Sequence, residues 1–167
     1  MTACNDCGFS YGELARGVLA AALVRCAGEI AERLNVPTAS LTARRQPAEW
    51  SPLEYACHVR DVLLVQRDRL FVALVEDEPS FKPMHREQRI ALDRYIEQPP
   101  GAVAAQLVMA ASMAAHAFSG LGAAQWDRPL IYNFPQPERR DVEWMAHHTL
   151  HEMRHHLADI ERILGAG

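Results

Sequence analysis

The chain has 167 residues, of which 49% are hydrophobic and 23% are charged, and its formal net charge is −4. This length and composition are typical of a folded protein with a sizeable core and not of a disordered chain. The acidic balance argues against nucleic-acid binding, which needs a basic surface. The sequence shows no signal peptide and no evident transmembrane run. We therefore expect a cytoplasmic protein without a membrane partner, whose cysteines are thiols or ligands and not structural disulfides.

Hydrophobic periodicity predicts helices almost throughout, with no convincing alternating strands. A first helix is expected from Tyr11 to Leu34, followed by a connector from Asn35 to Glu49. The second helix has a clear start in the sequence WSPLE. Ser51 is the N-cap, the following proline takes the first helical position, and Glu54 completes a capping box. This helix is expected to continue to about Val75.

The second half of the chain predicts two more long helices. A loop with a short helix near Arg86 to Tyr95 precedes the third long helix, which starts at Pro100 and ends around Gly120 to Gly122. The proline-rich stretch WDRPLIYNFPQPERR is expected to form a long ordered crossover. The fourth helix starts near Asp141, a good N-cap, and reaches Leu164.

Four long amphipathic helices predict an all-α fold, an up-down four-helix bundle with a long ordered crossover before the last helix. We expect residues 1–167 to form a single helical-bundle domain. Residues 1–10, which contain a Cys-x-x-Cys pair, are a short extension at its start.

The last helix contains the sequence HEMRHH, in which two metal-capable pairs overlap. His151 and His155 form HExxH, the signature of zinc proteases, whereas Glu152 and His156 are a second pair at the same spacing. At about 100° per residue, His156 lies near the apolar stripe of this helix and Glu152 lies on its flank. The HExxH pair falls on nearly the opposite side. We therefore predict that Glu152 and His156 point into the bundle.

The protease interpretation meets two further difficulties. A zinc protease needs a third ligand, commonly downstream of HExxH, and only the end of the same helix follows His155. In addition, no strand precedes the motif to hold a peptide substrate. A protease is therefore not expected.

A glutamate and a histidine four residues apart on one helix can bind the same ion, and a bundle site needs at least one ligand from another helix. His58 is the best candidate because it is the only histidine on the second helix. Taken alone, His58 is more typical of a half-buried, hydrogen-bonded side chain than of a ligand. Together with Glu152 and His156 it predicts a mononuclear metal site with a position open to water or a thiolate.

Two motifs resemble those of the DinB-like superfamily of metal-dependent four-helix bundles. WSPLEYACH resembles the family's W-S-x-x-E-x-x-x-H, and HEMRHHLADI resembles H-x-x-x-H-x-G-Q-I with glutamate at the first of its two histidines. The branch similar to mycothiol-dependent maleylpyruvate isomerase also uses a His, Glu, His set. The resemblance extends over roughly Tyr11 to Leu164. It implies a divalent metal, with zinc expected and nickel as the alternative, on His58, Glu152 and His156.

The resemblance also implies an activity. Characterised members of the superfamily activate a low-molecular-weight thiol such as mycothiol, bacillithiol or glutathione for S-transfer or isomerisation. A divalent cation makes a coordinated thiol ionise near neutral pH, and the thiolate can attack an electrophile. We therefore expect a thiol-utilising, mycothiol-type S-transferase or isomerase that acts on a small-molecule substrate. The alternatives are a metal-dependent hydrolase and a non-catalytic, stress-related or metal-binding homodimer.

Other polar residues near the predicted ligands have candidate roles. His148, His151 and His155 are alternative ligands if the last helix is rotated, and otherwise form a solvated face. His148 and Asp159 lie one turn from the predicted pair, and Asp61 lies one turn from His58 on the second helix. All three are candidates to hydrogen-bond a ligand and orient it.

The N-terminal cysteines form a separate candidate site. Cys4 and Cys7 are compatible with half of a second metal site, with a redox pair or with no chemistry at all. A structural zinc ion needs four ligands, and a second Cys-x-x-Cys is missing from the sequence. Histidines such as His147 or His151, or a partner subunit, are candidates to complete such a site.

Overall fold

The computed structural model of the chain describes residues 3–133 and 135–165. In that part of the chain four long helices form a bundle: α1 (Arg16–Arg33), α3 (Pro52–Val75), α5 (Pro100–Ser119) and α7 (Val142–Gly165). The connections contain α2 (Thr38–Thr42), α4 (Arg86–Leu92), a 3₁₀ turn (Tyr95–Glu97) and α6 (Ala123–Trp126). They also contain the strands β1 (Ser80–Phe81), β2 (Pro129–Asn133) and β3 (Pro137–Asp141). The predicted four-helix bundle is confirmed.

The long helices that follow one another in the chain are not all neighbours in space. α1 packs against α5 and α7, and α3 packs against the same two helices. The pairs α1–α3 and α5–α7 therefore lie across the diagonals of the bundle. The side chains buried between the helices form a core cluster that includes Leu19, Leu23, Ile30, Leu63, Leu70, Leu107, Phe118, Met145, Met153 and Ile160.

The start of α3 follows the sequence prediction closely. The Ser51 hydroxyl accepts a hydrogen bond from the Glu54 backbone N–H at 3.3 Å, and the Glu54 carboxylate accepts one from the Ser51 N–H at 2.7 Å. Arg44, in the preceding connector, donates two further hydrogen bonds to the Glu54 carboxylate at 2.6 and 2.8 Å. These contacts fix the N-terminus of α3 somewhat less than two turns before His58, because they satisfy backbone groups that the helix itself leaves unpaired.

The periodicity predicted that the first helix starts at Tyr11, but α1 begins at Arg16. Gly12 has a φ of +86°, a conformation that a continuous right-handed helix excludes. The residues before Gly12 instead form an irregular segment in which Ala3 and Ser10 make an isolated antiparallel bridge. As a result, the Tyr11 side chain reaches α7 instead of continuing the face of α1.

The expectation that the chain has no strands is wrong for the crossover before α7. β2 and β3 form an antiparallel pair in which Ile131 lies opposite Arg139, and β1 adds to β2 in parallel. Leu130 and Tyr132 are buried while their neighbours in β2 are half-buried, which is the alternation of a strand with one covered face. The small sheet brings Tyr132 into contact with α7, where its ring lies 5.2 Å from that of His148.

Helix α5 is rich in alanine and is, by its length and its mean hydropathy of 1.4, apolar enough to cross a membrane. In the bundle it packs against both α1 and α3. Val103, Leu107 and Ala111 are fully buried there. Val108, Met109 and Met113 of the same helix are exposed, so that packing in the bundle accounts for only part of its apolar composition.

Candidate metal centre

Three side chains from two helices meet inside the bundle. α3 carries His58, and α7 carries Glu152 and His156 one turn apart. Oε2 of Glu152 lies 3.8 Å from Nε2 of His58 and 3.8 Å from Nε2 of His156. Potential ligand atoms of the three residues all lie within 4.8 Å of one another. These separations are too long for hydrogen bonds, but they approach the edge of about 3.4 Å that joins two ligands of a tetrahedral zinc ion.

Both histidines of this cluster are buried, and one of them lacks a hydrogen-bond partner among the described residues. His58 is 2% exposed and His156 is 5% exposed. Neither ring nitrogen of His58 makes a hydrogen bond within the described part of the chain. A buried imidazole without a partner costs free energy, and a cation beside its nitrogen removes that cost. The residues present therefore fit a divalent metal ion.

The protonation states of the cluster also suit a cation. Burial lowers the pKa of His156, against the opposing effect of Asp159 and Glu152, so that its imidazole is neutral at pH 7. Burial disfavours ionisation of Glu152, but contacts with His151 and His58 and the potential of neighbouring histidines hold its pKa well below the ordinary value. A neutral imidazole and an ionised carboxylate are the forms of these side chains that bind metals.

Asp159 orients one of the histidines. Nδ1 of His156 lies 3.0 Å from Oδ2 of Asp159, the contact expected from the helical spacing. Aromatic rings surround the two imidazoles. The ring of Trp50 lies 5.1 Å from that of His58 in an edge-on arrangement, and the ring of Tyr55 lies 5.0 Å from that of His156. The rings therefore limit the rotation of both histidines.

Asp61 does not orient His58, which corrects the expectation from the sequence. Its carboxylate accepts hydrogen bonds from the Tyr95 hydroxyl at 2.6 Å, from Arg60 at 2.9 Å and from Arg89 at 3.1 Å. None of its hydrogen bonds within the described residues involves His58. The hydrogen bonds from Arg60, Arg89 and Tyr95 instead hold the Asp61 carboxylate on the side of α3 that faces α4.

A cavity of about 240 Å³ opens beside the cluster. His58 and Glu152 form part of its wall, together with His148 from α7, and residues 81–88 form another part. The Glu152 side chain is 22% exposed and is the most accessible member of the cluster. A small molecule in this cavity would therefore reach the candidate ligands.

Arg69 is a buried cation in the wall of the cavity. It is 8% exposed, and its guanidinium donates hydrogen bonds to the Tyr132 hydroxyl at 3.0 Å, to the Gln66 side chain at 3.3 Å and to the Lys82 backbone carbonyl. No carboxylate of the described residues forms an ion pair with it. Because a buried cation without a counter-ion is costly, Arg69 is well suited to bind an anionic group.

The sequence between residues 22 and 160 matches the family model of the DinB superfamily. The chain belongs to the DinB superfamily. Among solved structures it is similar to YfiT from Bacillus subtilis, which is described as a probable metal-dependent hydrolase with an unusual four-helix bundle topology. The alignment covers 93% of this chain and 91% of YfiT, with a TM-score of 0.77 and a sequence identity of 16%. These values show a common fold. None of the curated protein sequences matches the chain.

Several cavity residues of this DinB protein were not predicted from its sequence. Gln66 and Arg69 lie on the same side of α3 as His58, and polar residues on a stripe that is otherwise buried were a usable signal. Nor did the sequence indicate a role in the site for Tyr132, whose hydroxyl accepts a hydrogen bond from each of these two side chains. No local pattern could place Tyr132, because its position depends on the pairing of β1, β2 and β3.

His148 lies beside the cluster of His58, Glu152 and His156 but is not part of it. Its Nε2 is 3.9 Å from Oε1 of Glu152, and its Nδ1 is 2.9 Å from the Tyr11 hydroxyl. Burial lowers the pKa of His148 to about 4. The side chain is therefore a neutral imidazole at pH 7 whose orientation is fixed by Tyr11.

The two histidines of HExxH point away from the interior of the DinB bundle, but they do not form a solvated face. His151 is 9% exposed, and the ring of Phe9 lies 5.5 Å from its ring. Ligand atoms of Cys4, Cys7, His151 and His155 all lie within 4.8 Å of one another. Sγ of Cys4 is 4.0 Å from Nδ1 of His155. A second group of potential ligands thus lies on the outer face of α7.

The two cysteines of this second group differ in acidity. Burial opposes ionisation of Cys4, but the backbone amides of Cys7 and Asp6 and the side chain of His151 together lower its pKa to about 6. Burial and the proximity of Cys4 raise the pKa of Cys7. Both residues are free cysteines in the structure.

Proposed function

We propose that this DinB protein is a metal-dependent enzyme in which a low-molecular-weight thiol attacks a small electrophile, giving S-transfer or isomerisation. The observation that carries the proposal is the cluster of His58, Glu152 and His156, of which His58 and Glu152 line a cavity whose wall also contains Arg69, a cation without an ion pair among the described residues. Three protein ligands leave a coordination position for a non-protein ligand, as in catalytic zinc sites.

The residues of the site have distinct roles in this proposal. His58, Glu152 and His156 would hold the ion, and their nitrogen and oxygen donors suit zinc, with nickel as the alternative. A divalent ion supplies Lewis acidity, which lowers the pKa of a thiol or of water at the open position. Arg69 binds an anionic group of the thiol or of the electrophile and orients it beside the cluster.

His148 is the candidate proton acceptor. In the tautomer whose Nδ1 donates to the Tyr11 hydroxyl, Nε2 is free to accept a proton. The low pKa of His148 keeps this nitrogen unprotonated at pH 7. Its position 3.9 Å from Glu152 puts it close to a thiol or a water molecule bound at the cluster.

A metal-dependent hydrolase is the second candidate. It is favoured by the description of YfiT as a probable metal-dependent hydrolase. His148 is compatible with it, because the same ring nitrogen could accept a proton from a water molecule whose acidity the ion has raised. The same three ligands would serve both reactions, so that only the nucleophile differs.

Metal analysis of protein purified without a histidine tag is the first test. We expect His58→Ala and His156→Ala each to lose one equivalent of divalent metal relative to the wild type. His116→Ala, which changes an exposed histidine on α5, is the matched control and should lose none. Metal content that is unchanged in both cluster variants would exclude the proposed site.

Turnover of an electrophilic chromophore then separates the two reactions. A transferase or isomerase should consume the electrophile only when a low-molecular-weight thiol is added, and His58→Ala should abolish this turnover. Consumption of an ester or amide without any thiol would contradict the transferase and indicate a hydrolase. A metal-loaded protein that is inactive in both assays would contradict the proposal that the protein is an enzyme, and would favour a non-catalytic metal-binding protein.

A further inference from the structure

The N-terminal extension and the outer face of α7 together present the ligands of a tetrahedral zinc ion. We propose that Cys4, Cys7, His151 and His155 bind a structural Zn²⁺ ion that fastens the extension to α7. Cys-x-x-Cys combined with His-x-x-x-His has the ligand types and spacings of structural Cys₂His₂ zinc sites. The site uses none of the candidate ligands inside the bundle, and it is therefore independent of the proposed function.

The distances within this group are close to those of a closed site. All four ligand atoms lie within 4.8 Å of one another, and Sγ of Cys4 is 4.0 Å from Nδ1 of His155. The edges of a zinc tetrahedron with sulfur and nitrogen ligands measure about 3.3 to 3.8 Å. Shifts of about 1 Å in side chains that are only partly buried would close the group around an ion.

The backbone of the extension is folded so that both cysteines lie near α7. The Gly8 N–H donates to the Cys4 carbonyl at 3.0 Å, and the Cys4 N–H donates to the Phe9 carbonyl at 2.9 Å. Gly8 has a φ of +71°, which residues with a Cβ rarely adopt. Phe9, which is 6% exposed, then packs against His151 and anchors the turn on the helix.

His151 supplies an independent indication of a missing ligand. It is 9% exposed, and neither of its ring nitrogens makes a hydrogen bond within the described residues. Its nearest carboxylate contact joins Nδ1 to Oε1 of Glu152 at 3.5 Å, which is longer than an ordinary hydrogen bond. Buried imidazoles normally have a partner, and a zinc ion between His151 and the cysteines would provide one.

A reversible disulfide is the competing interpretation of the cysteine pair. It explains the Cys-x-x-Cys spacing, but it does not explain why two histidines from a distant part of the chain converge on the same sulfur atoms. The zinc site uses all four side chains. His147, which the sequence also offered as a ligand, lies outside this group.

The ion would also hold Tyr11 in its contact with His148, a residue of α7 that lines the cavity. Tyr11 follows the cysteine turn closely in the chain, and its hydroxyl bonds to His148. By tying Cys4 and Cys7 to α7, the ion would hold Tyr11 in this contact. The site is therefore a structural clamp and not a second catalytic centre.

Titration of the reduced, metal-free full chain with Co²⁺ tests the proposal. Cysteine thiolates bound to tetrahedral Co²⁺ give a sulfur-to-metal charge-transfer band and intense visible bands, whereas the cluster inside the bundle contains no sulfur. We expect the charge-transfer band to appear in the wild type and in His58→Ala, and to saturate at one equivalent in His58→Ala, where the cluster inside the bundle no longer competes for Co²⁺. It should be lost in Cys4→Ser/Cys7→Ser and in His151→Gln/His155→Gln. Cys26→Ala, which changes a buried cysteine of α1, is the control that keeps it.

Two further measurements complete the test. In the His58→Ala background, where the cluster inside the bundle is disabled, Zn²⁺ should displace Co²⁺ and raise the thermal unfolding midpoint, but it should not do so when Cys4→Ser/Cys7→Ser is added. Circular dichroism verifies that each variant keeps its helices. A reduced wild type without the charge-transfer band, or an equal band in the double cysteine variant, would overturn the proposal. If the reduced protein lacks the band and the oxidised protein contains a Cys4–Cys7 disulfide, the two cysteines are a redox pair and not zinc ligands.

Discussion

Nδ1 of His156 lies 3.0 Å from Oδ2 of Asp159 on the next turn of α7. Because this contact uses one ring nitrogen, the other nitrogen is left to face Glu152 at 3.8 Å. Arg162 donates a hydrogen bond to the second oxygen of Asp159 at 3.1 Å and holds the carboxylate in place. A carboxylate in this position fixes the orientation of a metal-binding imidazole and increases its basicity.

The first prediction concerns this contact. We expect Asp159→Asn to weaken divalent-metal binding at the bundle cluster by about 10- to 100-fold, because the amide is a poorer acceptor for the imidazole N–H. Competition with a chromophoric chelator measures the affinity. The Cys4→Ser/Cys7→Ser background restricts the titration to this cluster. Asp127→Asn, at an exposed ion pair with Arg16, is the control. Equal metal affinities in Asp159→Asn and Asp127→Asn would contradict the proposal that Asp159 orients His156.

The second prediction concerns Arg69. Loss of a charge-assisted hydrogen bond costs about 1.5–3 kcal/mol, which corresponds to roughly 10- to 100-fold in affinity. We therefore expect Arg69→Met to weaken binding of a small carboxylate by that factor, and Arg69→Lys to retain part of it. Calorimetry with the carboxylate and with its neutral amide measures the effect. Arg67→Met, which removes a cation stacked on Phe71, should change neither affinity. Equal losses for acid and amide would indicate a packing role alone.

The third prediction concerns the pH dependence of stability at the start of α3. Burial opposes ionisation of Glu54, but Arg44 and Ser51 lower its pKa below the ordinary value. Because the folded pKa lies below the unfolded value of about 4.3, ionised Glu54 stabilises the fold above that pH. The contribution is lost as the pH falls through the folded pKa.

Glu54→Gln should therefore lower the free energy of unfolding by about 1–2 kcal/mol at pH 7, since Arg44 is a third exposed and partly screened by water. The difference from the wild type should shrink as the pH is lowered toward 3, and urea unfolding at several pH values measures it. Glu97→Gln, in an exposed pair with Arg94, should stay within about 0.5 kcal/mol. A difference that is independent of pH would contradict the assignment.

The fourth prediction compares two glycines. Gly12 has a φ of +86°, and beyond its two chain neighbours no atom of the described residues lies within 4 Å of the position that an added methyl group would take. Gly12→Ala therefore meets only backbone strain and should destabilise the protein by about 1 kcal/mol. Gly28 lies inside α1 with equally open surroundings. Gly28→Ala should stabilise the protein by about 0.5–1 kcal/mol. If the urea midpoints of both variants move in the same direction, the positive φ of Gly12 does not cause the destabilisation.

Local chemistry explains which parts of the fold were predictable. The capping box of Ser51 and Glu54 is made by residues three apart in the chain, and the structure confirms it. Apolar periodicity likewise predicted the four long helices. The break at Gly12 was missed because periodicity continues on both sides of it. Strands β2 and β3 were missed because each is only five residues long, and because β1, which pairs with β2, lies far away in the chain.

The candidate site divides in a similar way. The orientation of Glu152 and His156 could be predicted because one apolar stripe fixes the rotation of α7. The meeting of Cys4 with His155 could not be predicted, since no pattern in the sequence indicates that the extension folds back onto the last helix. Asp61 was placed wrongly because spacing along α3 does not reveal that Arg60, Arg89 and Tyr95 hold its carboxylate on another side.

The diagonal arrangement of the long helices has a consequence for how the chain acquires its structure. α1 is made first, yet its long-helix neighbours are α5 and α7. During synthesis its apolar face would remain uncovered until residues 100–119 had left the ribosome. Such sequence-distant contacts raise the contact order above that of a bundle whose successive helices are neighbours. Refolding, followed by stopped-flow fluorescence, should accordingly be slower than that of a sequentially packed bundle of the same length.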